Sequence, residues 1–258
     1  MEPSKQRGSG SSTQADETSA TVDRALRALE RKGTTRNRAG MARYGLVAQK
    51  VFGVSVAEIH GLAARFGRDH ALALALFDTG WYEARLLAAF VDEPARVTAA
   101  QMDRWARDFE NWGDCDTAVM HLFDRTPHAW NKVGIWCGRT REFVKRAGFA
   151  MIASLALNDR SAPDSRFVAA LALVEREAGD ERHFVKKAVN WALRSVGCRN
   201  AALHARAIAV AARLAEASEA APRWIGTDAL RQLATPATRK RLERAASRST
   251  RSRRANGS

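Results

Sequence analysis

The chain has 258 residues, 46% of them hydrophobic, and a formal net charge of +14. Its three cysteines, an odd number with no close pair, argue against a disulfide framework and for a reducing compartment. The longest purely apolar run, Ala71 to Phe77, is too short to span a bilayer, and the N-terminus lacks the apolar stretch of a signal peptide, so no membrane partner is expected.

Residues 1–20 are rich in Ser, Thr, Gly and Gln and almost free of apolar side chains, which predicts disorder. From 21 to 237 the pattern is helical almost throughout. Ala, Leu, Arg and Glu dominate, and alternating β-branched runs are absent. Ser55 with Glu58 three residues on predicts a capping box ahead of one helix, and Thr98 predicts the N-cap of another. Pro94, Pro127, Pro163, Pro222 and Pro236 fall between the periodic stretches, as helix breakers do. The expected fold is all-α, with ten to twelve helices and no sheet. Residues 238–258 form an arginine-rich tail, also expected to be disordered. The tail nets +7 and residues 1–20 net −1, so +8 falls on residues 21–237. A folded core of that charge suggests an anionic partner.

Within the core, the stretch FENWGDCDT places Trp112, Asp114 and Asp116 close together in a segment that reads as helix. Trp112 and Asp116 are four apart and share a helical face. Further on, EFVKRAGFAMIASLA (Glu142 to Ala156) aligns without gaps on HFVKKAVNWALRSVG (His183 to Gly197), an offset of 41 residues. The triplet Ala192 to Arg194 returns at Ala229 to Arg231, an offset of 37. Periods near 40 in a helical chain predict stacked helix pairs of the HEAT kind, forming a solenoid with a concave basic surface. Lys145 and Arg146 open one repeat helix, and Lys186 and Lys187 open the next. Cations there oppose the helix dipole, so an anion docking at the same ends would explain them. A stripe of such positions suits a phosphate backbone. Of seven tryptophans, Trp81, Trp105, Trp130, Trp136 and Trp224 read as core or helix contacts. Trp191 differs: it lies four residues after Lys187, and its counterpart in the earlier repeat is Ala150.

The segments MARYGLVAQKVFGVS, NWGDCD, FVKRAGFAMIA and above all ERHFVKKAVNWALRSVG carry a resemblance to a known family. From about Met41 to about Thr235 the chain resembles the bacterial AlkD-like HEAT-repeat DNA glycosylases, which act in DNA alkylation repair. The resemblance implies that Asp116 is the catalytic aspartate and that Trp112 and Trp191 are the active-site tryptophans. It implies that Arg146 contacts the DNA backbone near the lesion and that Tyr44 sits beside the damaged nucleotide. Lys145, Lys186 and Lys187 are expected to hold phosphates. The implied reaction is release of cationic N3- or N7-alkylpurines from duplex DNA, without flipping the base into a pocket and without cofactor or metal. A monomer at the nucleoid in the cytoplasm is expected. The chain departs from the family pattern after Trp112, where an acidic residue is common and Gly113 stands. That glycine is expected to loosen the helix and to leave Asp114 as a stand-in for Asp116.

Three alternatives stand beside this reading. A HEAT-type DNA-binding or scaffold protein without catalysis would require only the cations. A lyase would use Lys145 or Lys186 as a Schiff base. A metal site would draw on Asp114, Cys115, Asp116 and His121, whose consecutive positions diverge around a helix.

Overall fold

The computed structural model describes residues 9–240, 242 and 243. Among them are thirteen α-helices, one short 3-10 turn and no strand. The chain divides into two compact units, residues 1–105 and 106–258.

The first unit holds α1 (Ser9–Lys32), α2 (Thr35–Arg43), α3 (Val56–Phe66), α4 (His70–Asp78), α5 (Tyr82–Val91) and the start of α6 (Ala99–Asp108). α4 packs on α5 and α1, and α3 packs on α5. Leu29, Ile59, Leu72, Leu76 and Leu87 close the core, and Phe77 stacks on Trp105 with ring centroids 4.1 Å apart. The Ser55 hydroxyl accepts from the Glu58 N–H at 3.3 Å, while the Glu58 carboxylate pairs with Lys32. Thr98 caps α6 as expected, accepting from the Gln101 N–H at 3.1 Å.

One acid organises the connection between α2 and α3. The fully buried Glu83 carboxylate accepts from the N–H groups of Phe52, Gly53 and Val54 at 3.0, 2.6 and 3.1 Å. Gly53 has φ +83°, and a Cβ there would come within 2.5 Å of the Thr34 carbonyl oxygen. A side chain at 53 is therefore excluded twice, by conformation and by space. The Gly53 carbonyl in turn accepts from the Thr34 N–H and the Asn37 side chain, each at 3.0 Å, which ties down the start of α2.

The disorder expected for residues 1–20 is corrected from Ser9 onward, because α1 begins there; residues 1–8 lie outside the described residues. Composition misled because helix propagation is far cheaper than nucleation. The later half of α1 is anchored by buried Ala25 and Leu29, and the polar first half extends it. In the tail, residues 236–240, 242 and 243 are helical, and the remainder lies outside the described residues.

The second unit continues with α7 (Trp112–His121), α8 (Ala129–Trp136), α9 (Glu142–Asn158), α10 (Asp164–Arg176), α11 (His183–Gly197), α12 (Ala201–Ala215) and α13 (Ala220–Leu233). α7, α9, α11 and α13 pack in succession as one layer, and α10 packs on α12 in the other. The 41-residue offset thus maps one helix of this layer onto its neighbour. α9 is enclosed on all sides: every residue from Val144 to Ala156 is buried. Gly148 permits this closeness, since a Cβ there would meet the Cys137 backbone nitrogen at 2.7 Å. Pro222, expected between helices, lies in the first turn of α13. There its missing N–H has no helical partner to lose. No helix among the described residues is long and apolar enough to cross a membrane.

Candidate active site

The stretch around Trp112 is a helix start rather than helix interior. Asn111 caps α7, its side-chain oxygen accepting from the N–H groups of Gly113 and Asp114 at 2.8 and 3.3 Å. Asp114 returns the favour: its carboxylate accepts from the N–H groups of Glu110, Asn111 and Cys115 at 3.0, 3.2 and 2.8 Å. This is a reciprocal capping box, and a carboxylate in the first turn also complements the dipole. Asp114 is 3% exposed and committed to the backbone, so its expected role as a stand-in for Asp116 is corrected. Gly113 sits in the first turn, where it loosens no helix interior.

Asp116, one turn further in, faces a different partner. The Arg146 side chain donates from Nε to Asp116 Oδ1 at 2.9 Å and from Nη2 to Oδ2 at 2.6 Å. A third donor, Nη1, reaches the Phe184 carbonyl oxygen at 2.7 Å. One guanidinium thus joins α7, α9 and α11. The fork matches a carboxylate in two parallel bonds, the strongest and most directional ion-pair geometry. The Asp116 and Arg146 side chains are 15% and 8% exposed, so the pair is shielded but the acid still reaches the surface. Burial raises the Asp116 carboxyl above its ordinary value, against the opposing pull of Arg146. Burial is the largest single pull on Arg146, downward, but the charge and hydrogen bonds of Asp116, with lesser help from its neighbours, together outweigh it and the guanidinium moves up. Both carboxylate oxygens accept hydrogen bonds, so the pair is a carboxylate and a guanidinium.

Trp112 opens α7 and Trp191 lies in the middle of α11; both are half-buried. Lys187 is exposed on α11 and Lys186 is half-buried, its ammonium 5.2 Å from the centroid of the Trp224 ring. Burial, then the charges of Lys187, Lys186 and Arg146, hold His183 below its ordinary value. Counted from their helix starts, Asp116, Arg146 and Lys187 occupy the same fifth position of α7, α9 and α11.

Lys145 requires a correction. Its ammonium pairs with Glu177 at 2.7 Å and Asp180 at 2.9 Å, with 10% of the side chain exposed. Arg182 joins the same cluster through Asp180 and donates to the Thr140 carbonyl oxygen at 2.6 Å. One step of helical phase turns Lys145 away from Arg146 and into the connection between α10 and α11, where it holds loop to helix instead of phosphate. Arg146 is corrected in part: three of its five N–H groups serve Asp116 and Phe184. Of the four residues weighed as a metal set, three have other partners. Asp114 enters the cap, Asp116 meets Arg146, and the Cys115 thiol, driven well up by burial, donates to the Phe143 carbonyl oxygen at 3.5 Å. Tyr44 belongs to the first unit and is 73% exposed.

Trp224, read as a core or helix contact, is 39% exposed and makes a contact between helices, with Lys186 of α11. Arg194 lies three residues after Trp191 on the same face of α11.

Comparison with known proteins agrees with this architecture. The model of a family described as "DNA alkylation repair enzyme" matches residues 25–233. No curated protein matches the chain. A solved structure described as "a new family of proteins related to the HEAT-like repeat DNA glycosylases with affinity for branched DNA structures" superposes with a TM-score of 0.71. It is 20% identical, and the match covers 86% of this chain and 95% of that one, a likeness of fold.

Proposed function

Starting from the chain's membership of the DNA alkylation repair enzyme family, we propose that it is a DNA glycosylase for cationic N3- and N7-alkylated purines in duplex DNA. The observation that carries this reading is the Asp116 carboxylate, held by a guanidinium fork yet open at its outer edge. Alkylation at N3 or N7 places a positive charge on the base. When the C1′–N bond breaks, its electron pair neutralises that charge, so the base leaves without help from an acid. Positive charge then develops on the sugar. An oriented carboxylate stabilises it without reorganising during the step. A carboxylate has about four lone-pair sites, of which Arg146 takes two. In this reading the acceptor capacity left over serves the sugar and the water that attacks C1′. Arg146 acts here as a positioning residue that fixes the aim of Asp116 and keeps it ionised. Trp112 and Trp191 offer aromatic faces to the cationic nucleotide, each worth about 0.5–2 kcal/mol. Lys186 and Lys187 hold the phosphates, and no base-enclosing pocket is required.

A release assay tests this. With enzyme in excess over methylated duplex, the parent frees 3-methyladenine or 7-methylguanine, and Asp116→Asn frees far less while still binding duplex. Equal release by both proteins overturns the role of Asp116. Absence of release from the parent favours the second reading, a DNA-binding protein without catalysis. What supports that second reading is the two-bond pairing of Asp116 with Arg146, which also serves as a helix clamp, together with the fold shared with a protein of stated affinity for branched DNA.

A further inference from the structure

α2 is the odd helix of the first unit. None of its nine residues is buried, and it carries Arg36, Arg38 and Arg43 with no acid. Nine residues are too few for a stable helix on propensity alone. This one is held from outside, by the Thr34 cap on the Asn37 N–H at 3.1 Å and by the Gly53 carbonyl. A helix that buries nothing adds nothing to a core, so its arginines need another explanation. Arg36 and Arg43 are exposed and make no ion pair among the described residues. Beside them lies a cleft of about 550 Å³, floored by Met41, Leu46, Val54 and Leu86. Val56 and Tyr44, 54% and 73% exposed, stand at its lip.

We propose that this cleft receives an unpaired nucleotide of DNA, with the base on the apolar floor and the flanking phosphates on Arg36 and Arg43. Charge selects the occupant. Two arginines without a countercharge repel a basic peptide and leave a purely apolar ligand with no use for them, whereas a nucleotide joins an anionic backbone to a flat, weakly polar ring. Apolar and aromatic surface beside cations is the make-up of single-strand sites that tolerate any base. Besides the two arginines, the polar lining is Asn37, Ser55 and the hydroxyls of Tyr44 and Tyr82, too sparse a set to read one base over another. The inference rests on the DNA-binding part of the proposed function and not on the chemistry at Asp116.

The test uses the full chain and fluorescence anisotropy with a blunt duplex and the same duplex bearing a single-stranded extension. The parent is expected to bind the extended duplex about fivefold or more tightly, the low end of one base stacked on a protein. The double variant Arg36→Gln, Arg43→Gln and the lip variant Val56→Glu each reduce that preference to within about twofold. All three positions are exposed, so folding is not at stake. No preference in the parent, a preference unchanged in the variants, or an equal loss on both duplexes overturns the proposal. Base release is measured on the same preparation. A protein that prefers the extension but releases no base sinks the glycosylase and leaves this site; release without preference does the opposite.

Discussion

α9 and α11 begin with nearly the same words, FVKR and FVKK, and pack side by side. Their apolar positions behave alike. Phe143 and Phe184 meet with ring centroids 5.8 Å apart, and Val144, Val185, Ala147 and Ala188 are all buried. Their cations do not. On α9, Lys145 and Arg146 are buried and paired with acids; on α11, Lys187 is exposed and Lys186 rides over an indole. A repeat thus copies the surface that stacks one unit on the next, while the charges that ride on it are free to diverge. α9 is enclosed by helices and its cations are internal ties; on α11 Lys187 stays exposed and Lys186 lies over Trp224, where the proposed DNA phosphates would meet them.

The sharpest way to break this comparison is Arg146→Ala. It leaves the Asp116 carboxylate buried without its partner, and stability should fall by about 3–5 kcal/mol in a denaturant melt. An Arg146→Ala protein as stable as the parent would mean that the α9 cation is no internal tie. Asp116→Asn should lower the single-turnover rate of base release by about 10²–10³, the scale for removing one electrostatic stabiliser. Circular dichroism on the same variant separates lost chemistry from lost fold.

The Lys145 cluster sharpens the comparison through pH. The Lys145 ammonium, Arg176 and Arg182 hold Glu177 and Asp180 below their ordinary values, after the opposing effect of burial. Carboxyls depressed in the folded state bind fewer protons than in the unfolded one. Their contribution is therefore complete above the unfolded carboxylate range, about pH 4, and is lost as pH falls from there toward the folded values. Lys145 itself is raised, so its share persists below the ordinary lysine value and fades as alkali passes the raised one. Lys145→Met should flatten the acid limb of a stability-against-pH curve; a limb of unchanged steepness would remove the cluster from the account. The smallest effect is expected at Lys187→Ala. Stability should stay within about 0.5 kcal/mol of the parent. The plot of log affinity against log salt for duplex DNA should lose about one unit of slope. An unchanged slope would leave the α11 cation without its anion.

The stacking logic was legible because it is written twice: the 41-residue echo named α9 and α11 before any coordinates. Thr98 was legible as a cap because capping is local chemistry. Lys145 was not, because its partners, Glu177 and Asp180, lie more than thirty residues away in a connection with no periodic signal. Asp114 was misread for a related reason. Its neighbours suggested helix interior, and only the break at Asn111 turns the same carboxylate into a cap. Trp191 stood out in the repeat, where its counterpart is Ala150, but the roles given to Asp116 and Trp191 came from family likeness, since spacing alone could not set Asp116 beside a guanidinium.

The Glu83 carboxylate that grips three consecutive amides has a consequence for experiment. Its charge is answered by dipoles inside the protein, out of reach of dissolved ions, whereas Arg36 and Arg43 stand in the ionic atmosphere. Raising the salt therefore silences the arginines and leaves the scaffold that displays them intact. Form and grip part company along a simple titration, and a ligand lost at high ionic strength should return on dilution with nothing to refold.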